Sequence, residues 1–394
     1  MSVILKDRVY WIGYIDWNLR DFHSFEAKRG VTYNSYFIKD NDCALIDAVK
    51  GPFADDLLKK LAELSDFSKI KYVVCNHAEL DHAGALPEVM KALPNAQLVC
   101  NKKCQGTLNL HFDTSNWNFK IVSTGDTISL GERTLRFIDT PMVHWPESMF
   151  TYLEEDKILF SMDAFGQHYT SSKHFDYEVP TALVIEEAKA YYANILMPFG
   201  KPIEKTLAQL ENIEIEMIAP SHGIIWKESI EQIVSLYKDW SAYKAKSKVL
   251  VIYDTMWQST ASMARAILKG VEDSGVDVKL ISIRNSNLTD IATEVLDSAG
   301  IAFGSSTING EMMPMAGAVL TYLKGLKPKN KIAFAFGSYG WGRGGVDGIV
   351  EYFDKLKWEI LREPIKSKYR PDEKILDECY NAGKMMAEKT KQVG

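Results

Sequence analysis

The stretch Ile70-Lys-Tyr-Val-Val-Cys75-Asn76-His77-Ala-Glu79-Leu-Asp81-His82-Ala-Gly84 decides how the first half of this chain is read. It opens with a short, mostly apolar and β-branched run, the composition of a buried strand. Four potential metal ligands follow within six residues: His77, Glu79, Asp81 and His82. A loop leaving a strand end can aim several side chains at one point, free of the 3.6-residue phasing that a helix imposes. Taken singly, a histidine near a strand is more often a hydrogen-bonded structural residue than a ligand, and a loop carboxylate is usually just solvated. The clustering shifts the balance toward ligation, because almost nothing in His77-x-Glu79-x-Asp81-His82 can pack a core.

Further ligand candidates stand in similar places. His144 follows a predicted strand, Asp163 directly follows Lys157–Phe160, and His222 lies in Ala219-Pro-Ser-His-Gly223 at another strand end. Around them the first ~250 residues read as short strands in two batches with helices between. Strands are expected at Val9–Tyr14, Tyr33–Ile38, Cys43–Asp47, Asp126–Leu130, Thr134–Ile138, Ser148–Tyr152 and Lys157–Ser161, with helices at Phe53–Leu64 and Leu86–Ala92. That pattern suits a sandwich of sheets covered by helices.

The chain has 394 residues, more than one typical domain. Its 46% hydrophobic and 25% charged residues are ordinary for a globular protein with a core. A net charge of −6 disfavours binding to nucleic acid or to an anionic membrane surface. The apolar run at the N-terminus is too short for a signal peptide, and no stretch reaches the ~20 apolar residues of a spanning helix, so a cytoplasmic location is expected. The five cysteines, Cys43, Cys75, Cys100, Cys104 and Cys379, form no Cys-x-x-Cys pair. Free thiols are therefore expected, and neither a rubredoxin nor a zinc ribbon is encoded in these residues.

A polar, lysine-rich stretch, Trp240–Lys248, marks a break, and domains are expected at 1–247 and 248–394. Beyond it, strands and amphipathic helices alternate: Lys248–Tyr253, Ala261–Glu272, Val276–Ile283, Gly300–Phe303, Ala316–Leu326, Lys331–Phe336, Asp347–Lys357 and a last helix over Lys374–Lys391. Such alternation predicts a doubly wound parallel sheet. Three loops at its strand ends carry ligand-binding chemistry. The first, Thr255-Met256-Trp257-Gln258-Ser259-Thr260, leads into a helix whose N–H groups and neighbouring hydroxyls can hold a phosphate. It lacks the Gly-Lys-Ser/Thr of a nucleoside-triphosphate loop, so a flavin monophosphate suits it better. The second, Ser305-Ser306-Thr307-Ile308-Asn309-Gly310, and the third, Ser338-Tyr339-Gly340-Trp341-Gly342, lie where doubly wound sheets bind ligands. Trp257, Tyr339 and Trp341 offer flat faces for an isoalloxazine ring. The glycine-rich run from Gly340 sits too late in the domain for a dinucleotide fingerprint.

With these residues in hand, the first half resembles the metallo-β-lactamase superfamily, whose usual motif is His-x-His-x-Asp-His with later His, Asp and His ligands. Glu79 stands where that motif has its second histidine, and a carboxylate there favours iron over zinc. The same departure marks the flavodiiron proteins, and the chain resembles them over essentially its whole length. Trp145-Pro-Glu-Ser-Met149, Asp163-Ala-Phe-Gly-Gln-His168 and Tyr191-Tyr-Ala-Asn194 carry the likeness further. The second half resembles flavodoxins, with Ser306 where many relatives have proline.

The resemblance implies a fold of class α/β: an N-terminal metallo-β-lactamase-like αββα sandwich, then a C-terminal flavodoxin-like doubly wound parallel sheet. It implies two cofactors, a non-haem diiron centre and FMN. His77, Glu79 and His144 would hold one iron, Asp81, His82 and His222 the other, and Asp163 would bridge them. His82 is not metal-bound in every family member. His23, His168, Tyr191 and Tyr192 are candidate pocket residues, with a purely structural role open for the two histidines. The implied activity is reduction of dioxygen to water, of nitric oxide to nitrous oxide, or both. The implied donor is separate, a rubredoxin or a reduced deazaflavin, and the implied assembly is a head-to-tail homodimer or tetramer. Two rivals stay open: a zinc-dependent hydrolase fused to a flavodoxin domain, and a non-catalytic electron carrier.

Overall fold

The computed structural model describes residues 2–393. The chain forms two compact units. One contains the residues up to Tyr192 together with Lys201–Lys238, and the other contains Ala193–Gly200 and the chain from Asp239 onward. The strand that opens the second sheet system starts at Lys246, two residues before the stretch read as Lys248–Tyr253.

In the first unit, a seven-stranded mixed sheet runs in the order Val3–Lys6, Val9–Trp11, Tyr36–Ile38, Cys43–Ile46, Ile70–Val74, Gln97–Cys100, Asn118–Ile121. A five-stranded sheet runs Thr127–Ser129, Thr134–Asp139, Met149–Leu153, Ile158–Met162, Met217–Pro220. Their facing sides share one core, in which Trp11, Tyr36, Ile46 and Val74 meet Phe137, Met149, Phe160 and Met217. The first sheet's other face packs Phe37, Leu45, Val73 and Leu98 against Leu57 and Leu61 of helix Ala54–Leu64, Val89 of Leu86–Ala92 and Leu108 of Lys102–His111. In the second sheet, Met149–Leu153, Ile158–Met162 and Met217–Pro220 are buried at every position, so both faces are covered. These layers are the expected αββα sandwich.

Two expected strands are broken, and one break serves the site. Tyr33–Ile38, read as continuous, is two strands: Val31–Tyr33 pairs with Tyr14–Asp16, and Tyr36–Ile38 joins the large sheet. Between them Asn34 leaves the ladder to hold the loop that carries His222. Its Nδ2 donates to Pro220 O (2.8 Å) and Gly223 O (3.0 Å), and its N–H donates to Ser221 O (2.7 Å). The strand expected over Val9–Tyr14 likewise divides into Val9–Trp11 and Tyr14–Asp16.

The second unit is a parallel sheet in the order Asp277–Ser282, Lys246–Asp254, Ser298–Ile308, Ile332–Tyr339, Glu359–Ile360. Counted along the chain this is 2-1-3-4-5, the flavodoxin-like doubly wound arrangement. Its last position is shared: Glu359–Ile360 pairs with the start of Ile332–Tyr339, and Ile365–Lys368 pairs with the end. Strand Lys246–Asp254 is buried through its middle, and Met263, Ile267, Cys379 and Met386 from helices Ser259–Glu272 and Glu373–Thr390 close its core. Asn287 and Asp372 cap their helices by accepting from Asp290 N and Ile375 N. All five cysteines are buried and free, as expected.

Candidate functional site

The loop after Ile70–Val74 is fixed before any ligand is considered. Asp47, buried and at φ 54, accepts from Asn76 N (2.7 Å) and Asn76 Nδ2 (2.8 Å). Asn76 Oδ1 in turn accepts from Thr151 Oγ1 (2.7 Å), tying the end of this strand to the second sheet. The chain then passes His77 and Glu79 and turns into the short helix Leu80–Ala83, which carries Asp81 and His82. Asp163 follows Ile158–Met162, and Phe165 N donates to Tyr237 OH (2.6 Å) just beyond it. His222 follows Met217–Pro220, and Gly223 after it stands at φ +80, where a Cβ would lie 2.0 Å from Gln167 Oε1. Only glycine fits that turn.

These loops bring all seven sequence candidates together in two groups, His77, Glu79, His144 and Asp163, then Asp81, His82 and His222. Within each group the candidate ligand atoms lie within 4.8 Å of one another. Asp163 joins the groups. Its Oδ2 is 3.1 Å from His144 Nε2 and 3.4 Å from His77 Nε2. Its Oδ1 is 3.0 Å from His82 Nε2 and 3.4 Å from His222 Nε2. Glu79 Oε2 lies 3.1 Å from His77 Nε2 and 3.2 Å from His144 Nε2, and Asp81 Oδ2 lies 3.1 Å from His222 Nε2.

The outer nitrogens set the tautomers. His77 Nδ1 donates to Glu147 Oε1 (2.9 Å) and His222 Nδ1 donates to Thr32 O (2.6 Å), so in the neutral ring each Nε2 is the nitrogen that turns a lone pair inward. Burial penalises every charge here. Even so, the facing imidazoles hold the Asp163 carboxyl well below its usual range. Against the same penalty, the Glu147 and Glu79 carboxylates push His77 well up, and Asp163 and Asp81 push His222 up to about 10. Asp81 Oδ1 and His82 Nδ1 are buried with no hydrogen-bond partner. A set of buried carboxylates and imidazoles that calls for positive charge at its centre, with a carboxylate oxygen unsatisfied, fits two hard divalent cations.

The pocket candidates separate. His23 sits at the exposed tip of the hairpin Asp21–Phe22/Phe25–Glu26, with its Nε2 3.2 Å from Glu79 Oε1. His168 is buried, with its ring 4.9 Å from Tyr191, 5.0 Å from Phe22 and 5.5 Å from His222. Burial first, and then the nearby His222, lower its pKa to about 3, which keeps the imidazole neutral. Tyr191 lies 5.9 Å from the His222 ring. Tyr192 packs against Tyr237 (5.1 Å). Sequence reading passed over Glu147 and Thr32 as outer partners. Glu147 carried a signal, a carboxylate three residues after a candidate ligand, but Thr32 contributes a backbone carbonyl and has none.

In the second unit the three predicted loops line a crevice of about 900 Å³, within the usual size of small-molecule sites. Met256, Trp257, Gln258 and Ser259 line it, as do Ser306, Thr307, Ile308, Asn309 and Gly310, and Ser338, Tyr339, Gly340, Trp341 and Gly342. Thr255, Thr260 and Ser305 were expected there but do not line it. Thr260 Oγ1 lies beneath, hydrogen-bonded to Ser306 Oγ (3.0 Å) and Ser338 Oγ (2.9 Å). Ser305 Oγ is used in holding Ser306 O and Met313 N, and Thr255 N donates to Asp254 Oδ1. Ser262, Tyr369 and Arg370 line the crevice unpredicted. Ser262 faces it one turn after Ser259. Tyr369 and Arg370 follow Ile365–Lys368, one more strand end that sequence reading missed.

Residues 31–223 match the ODP family beta lactamase model, and residues 251–383 match the flavodoxin model. The chain is 43% identical to a nitric oxide reductase of Moorella thermoacetica over 98% of each chain. Among solved structures it resembles the flavodiiron protein from Giardia intestinalis, with a TM-score of 0.97, 38% identity and coverage of 100% of this chain and 97% of the other. It also resembles the rubredoxin oxygen:oxidoreductase of the anaerobe Desulfovibrio gigas, with a TM-score of 0.96, 33% identity and coverage of 100% and 99%. A beta-lactamase-like unit with a carboxylate-rich two-group cluster, followed by a flavodoxin unit with an open crevice and matched along its whole length by such relatives, leads to one conclusion: the chain belongs to the flavodiiron protein family.

Proposed function

We propose that this oxidoreductase reduces dioxygen to water, nitric oxide to nitrous oxide, or both, at a diiron site over residues 1–247, with electrons passed through FMN held over residues 248–394. The observation that carries this reading is Asp163, whose two oxygens face two separate sets of ligand atoms. Its cofactors are FMN and a non-haem diiron centre. In the proposed assignment His77, Glu79 and His144 would hold one iron, Asp81, His82 and His222 would hold the other, and Asp163 would serve both. When bound, the iron pair supplies paired electrons and open positions for a small diatomic gas, while FMN accepts electrons in pairs and releases them singly.

The chain's own residues do the rest. Glu79 gives the site a hard anionic donor where a zinc hydrolase has imidazole. Glu147 and Thr32 keep the Nδ1 protons of His77 and His222 pointed outward. Phe22, His168 and Tyr191, all buried, wall the Asp81–His82–His222 side against bulk water. His23 stands at the more exposed side, against Glu79. In the second unit, the left-handed Gln258 ahead of helix Ser259–Glu272 presents the helix N-terminus to a phosphate.

The donor belongs to the same reading. A rubredoxin is supported by the name of the Desulfovibrio gigas relative, and a reduced deazaflavin by the sequence resemblance. A head-to-tail homodimer or tetramer is proposed on that resemblance too. No helix among the described residues is long and apolar enough to cross a membrane. A cytoplasmic location is supported by the five free, buried thiols. The test is iron, zinc and FMN content, followed by stopped-flow oxidation of the reduced protein by each gas. About two irons and one FMN with fast reoxidation support the reading. Zinc without iron, or a flavin that reoxidises no faster than free FMN, overturns it.

A further inference from the structure

The two halves of the metal cluster differ in what stands behind their histidines. His77 is backed by a carboxylate, with Glu147 Oε1 2.9 Å from its Nδ1. His222 is backed by the neutral carbonyl of Thr32 at 2.6 Å, and His82 Nδ1 is buried with no partner. Glu147 is itself deeply buried and built into place. Its backbone carbonyl accepts from Asn101 Nδ2 (2.8 Å), the same nitrogen that reaches Asp139 Oδ1 (2.9 Å). Its Oε1 also faces Ala78 N at 3.3 Å, and the Trp145 ring closes edge-on against His77 at 4.9 Å.

A buried anion needs a reason, because burying unbalanced charge is costly. The charge count of the cluster supplies one. Two divalent ions bring four positive charges, and Glu79, Asp81 and Asp163 cancel three of them. One positive charge would remain buried, and Glu147 offsets it through its direct hydrogen bond to the imidazole of His77, whereas the other buried carboxylate nearby, Asp47, is bonded to Asn76 instead. We propose that Glu147 is a positioning residue of the metal centre. It locks His77 with its Nε2 turned into the cluster, and its negative charge makes His77 the more basic ligand. It thereby strengthens metal binding on the Glu79 side relative to the Asp81 side. This inference rests on the diiron reading above and adds an inequality between the two positions.

The experiment uses the full-length holoprotein and the variants Glu147→Gln and Glu147→Asp. Iron retention is measured against a competing chelator, the midpoint potential of the iron pair by redox titration, and FMN content and melting temperature serve as controls for folding. Glutamine keeps an oxygen for the Nδ1–H but loses the charge. It is expected to leave FMN content unchanged, weaken retention of one iron roughly 10- to 100-fold, and move the midpoint potential positive, since losing an anion favours the reduced metal. Aspartate keeps the charge and should hold the potential near the parent's, even where its shorter reach loosens the iron. A glutamine variant that matches the parent in both iron retention and potential overturns the proposal, as do equal potential shifts in the two variants. A parent protein without an iron pair would instead sink the diiron reading itself.

Discussion

The metal cluster and the flavin crevice both form at the carboxyl ends of strands, but they are made of different material. The cluster is side-chain work: imidazoles and carboxylates from four separate loops, most of them buried, with His77 and His222 each oriented by a second residue behind it. The crevice is largely backbone, hydroxyl and aromatic surface, with Trp257 88% and Trp341 94% exposed. A site that must hold small, highly charged ions needs donor atoms fixed to fractions of an ångström, which only a packed surround supplies. A site for a flat organic cofactor needs area and a phosphate seat, and tolerates an open wall. Substitutions in the cluster should therefore be severe and confined to metal, and those in the crevice graded and confined to flavin.

The largest effect is expected from Asp163→Asn. With the oxygen pair that joins the groups disabled, iron binding should fall by more than the ~100-fold typical of outer partners, and gas reduction should vanish while FMN stays bound. Metal and flavin analysis of the same sample checks this, and a loss of flavin alongside iron would break the comparison. Glu79→His comes next. It restores the superfamily's usual donor set and should shift the bound metal from iron toward zinc, read as the iron-to-zinc ratio of purified protein.

Against the crevice-lining Gly310, Gly344 stands at φ +139, where a Cβ would fall 1.9 Å from Gly310 O. Gly344→Ala should strain two flavin loops by about 1–3 kcal/mol and weaken FMN binding about tenfold or more, with iron content unchanged. Trp257→Ala and Trp341→Ala should each cost only about 0.5–1.5 kcal/mol, a few-fold in FMN affinity by fluorescence titration. The smallest effect is one of pH. His174 packs on Trp11 (4.4 Å), and burial lowers its pKa from an ordinary value of 6.5. The folded state thus keeps it neutral, and the unfolded chain takes up the proton first. Stability of the first unit should fall as pH drops below about 6.5, and less steeply in His174→Gln, measured by denaturant midpoints.

Much of this was legible in the sequence. The run Ile70–Cys75 and the strand Lys246–Asp254 carry enough apolar, β-branched residues to declare themselves, and helix Leu86–Ala92 was read to the residue. Strand Gln97–Cys100 and helix Thr181–Tyr191 escaped. The first is four residues long, and the second spreads apolar residues around several faces and so lacks a clean stripe. Strand Asn118–Ile121 sits at a sheet edge, and its polar–apolar alternation runs for only four residues, none of them buried.

For the site, local order in the chain determined the candidates. His77, Glu79, Asp81 and His82 crowd one loop, and a Ser/Thr-rich turn runs straight into a helix. Those are facts of adjacency, and adjacency is what a sequence records. It could not decide that Asp163 shares one oxygen with each group, that Thr260 and Ser305 are spent on hydrogen bonds that hold the crevice loops together, or that Tyr191 meets His222 while Tyr192 meets Tyr237. Nor could it decide that Asn34 leaves a strand to grip the His222 loop, or that Glu147 stands behind His77 across 70 residues of chain. Each of these depends on which loops converge once the sheets and helices of a unit have packed. That convergence is set by the burial of side chains distant in sequence, so only the tertiary structure decides it.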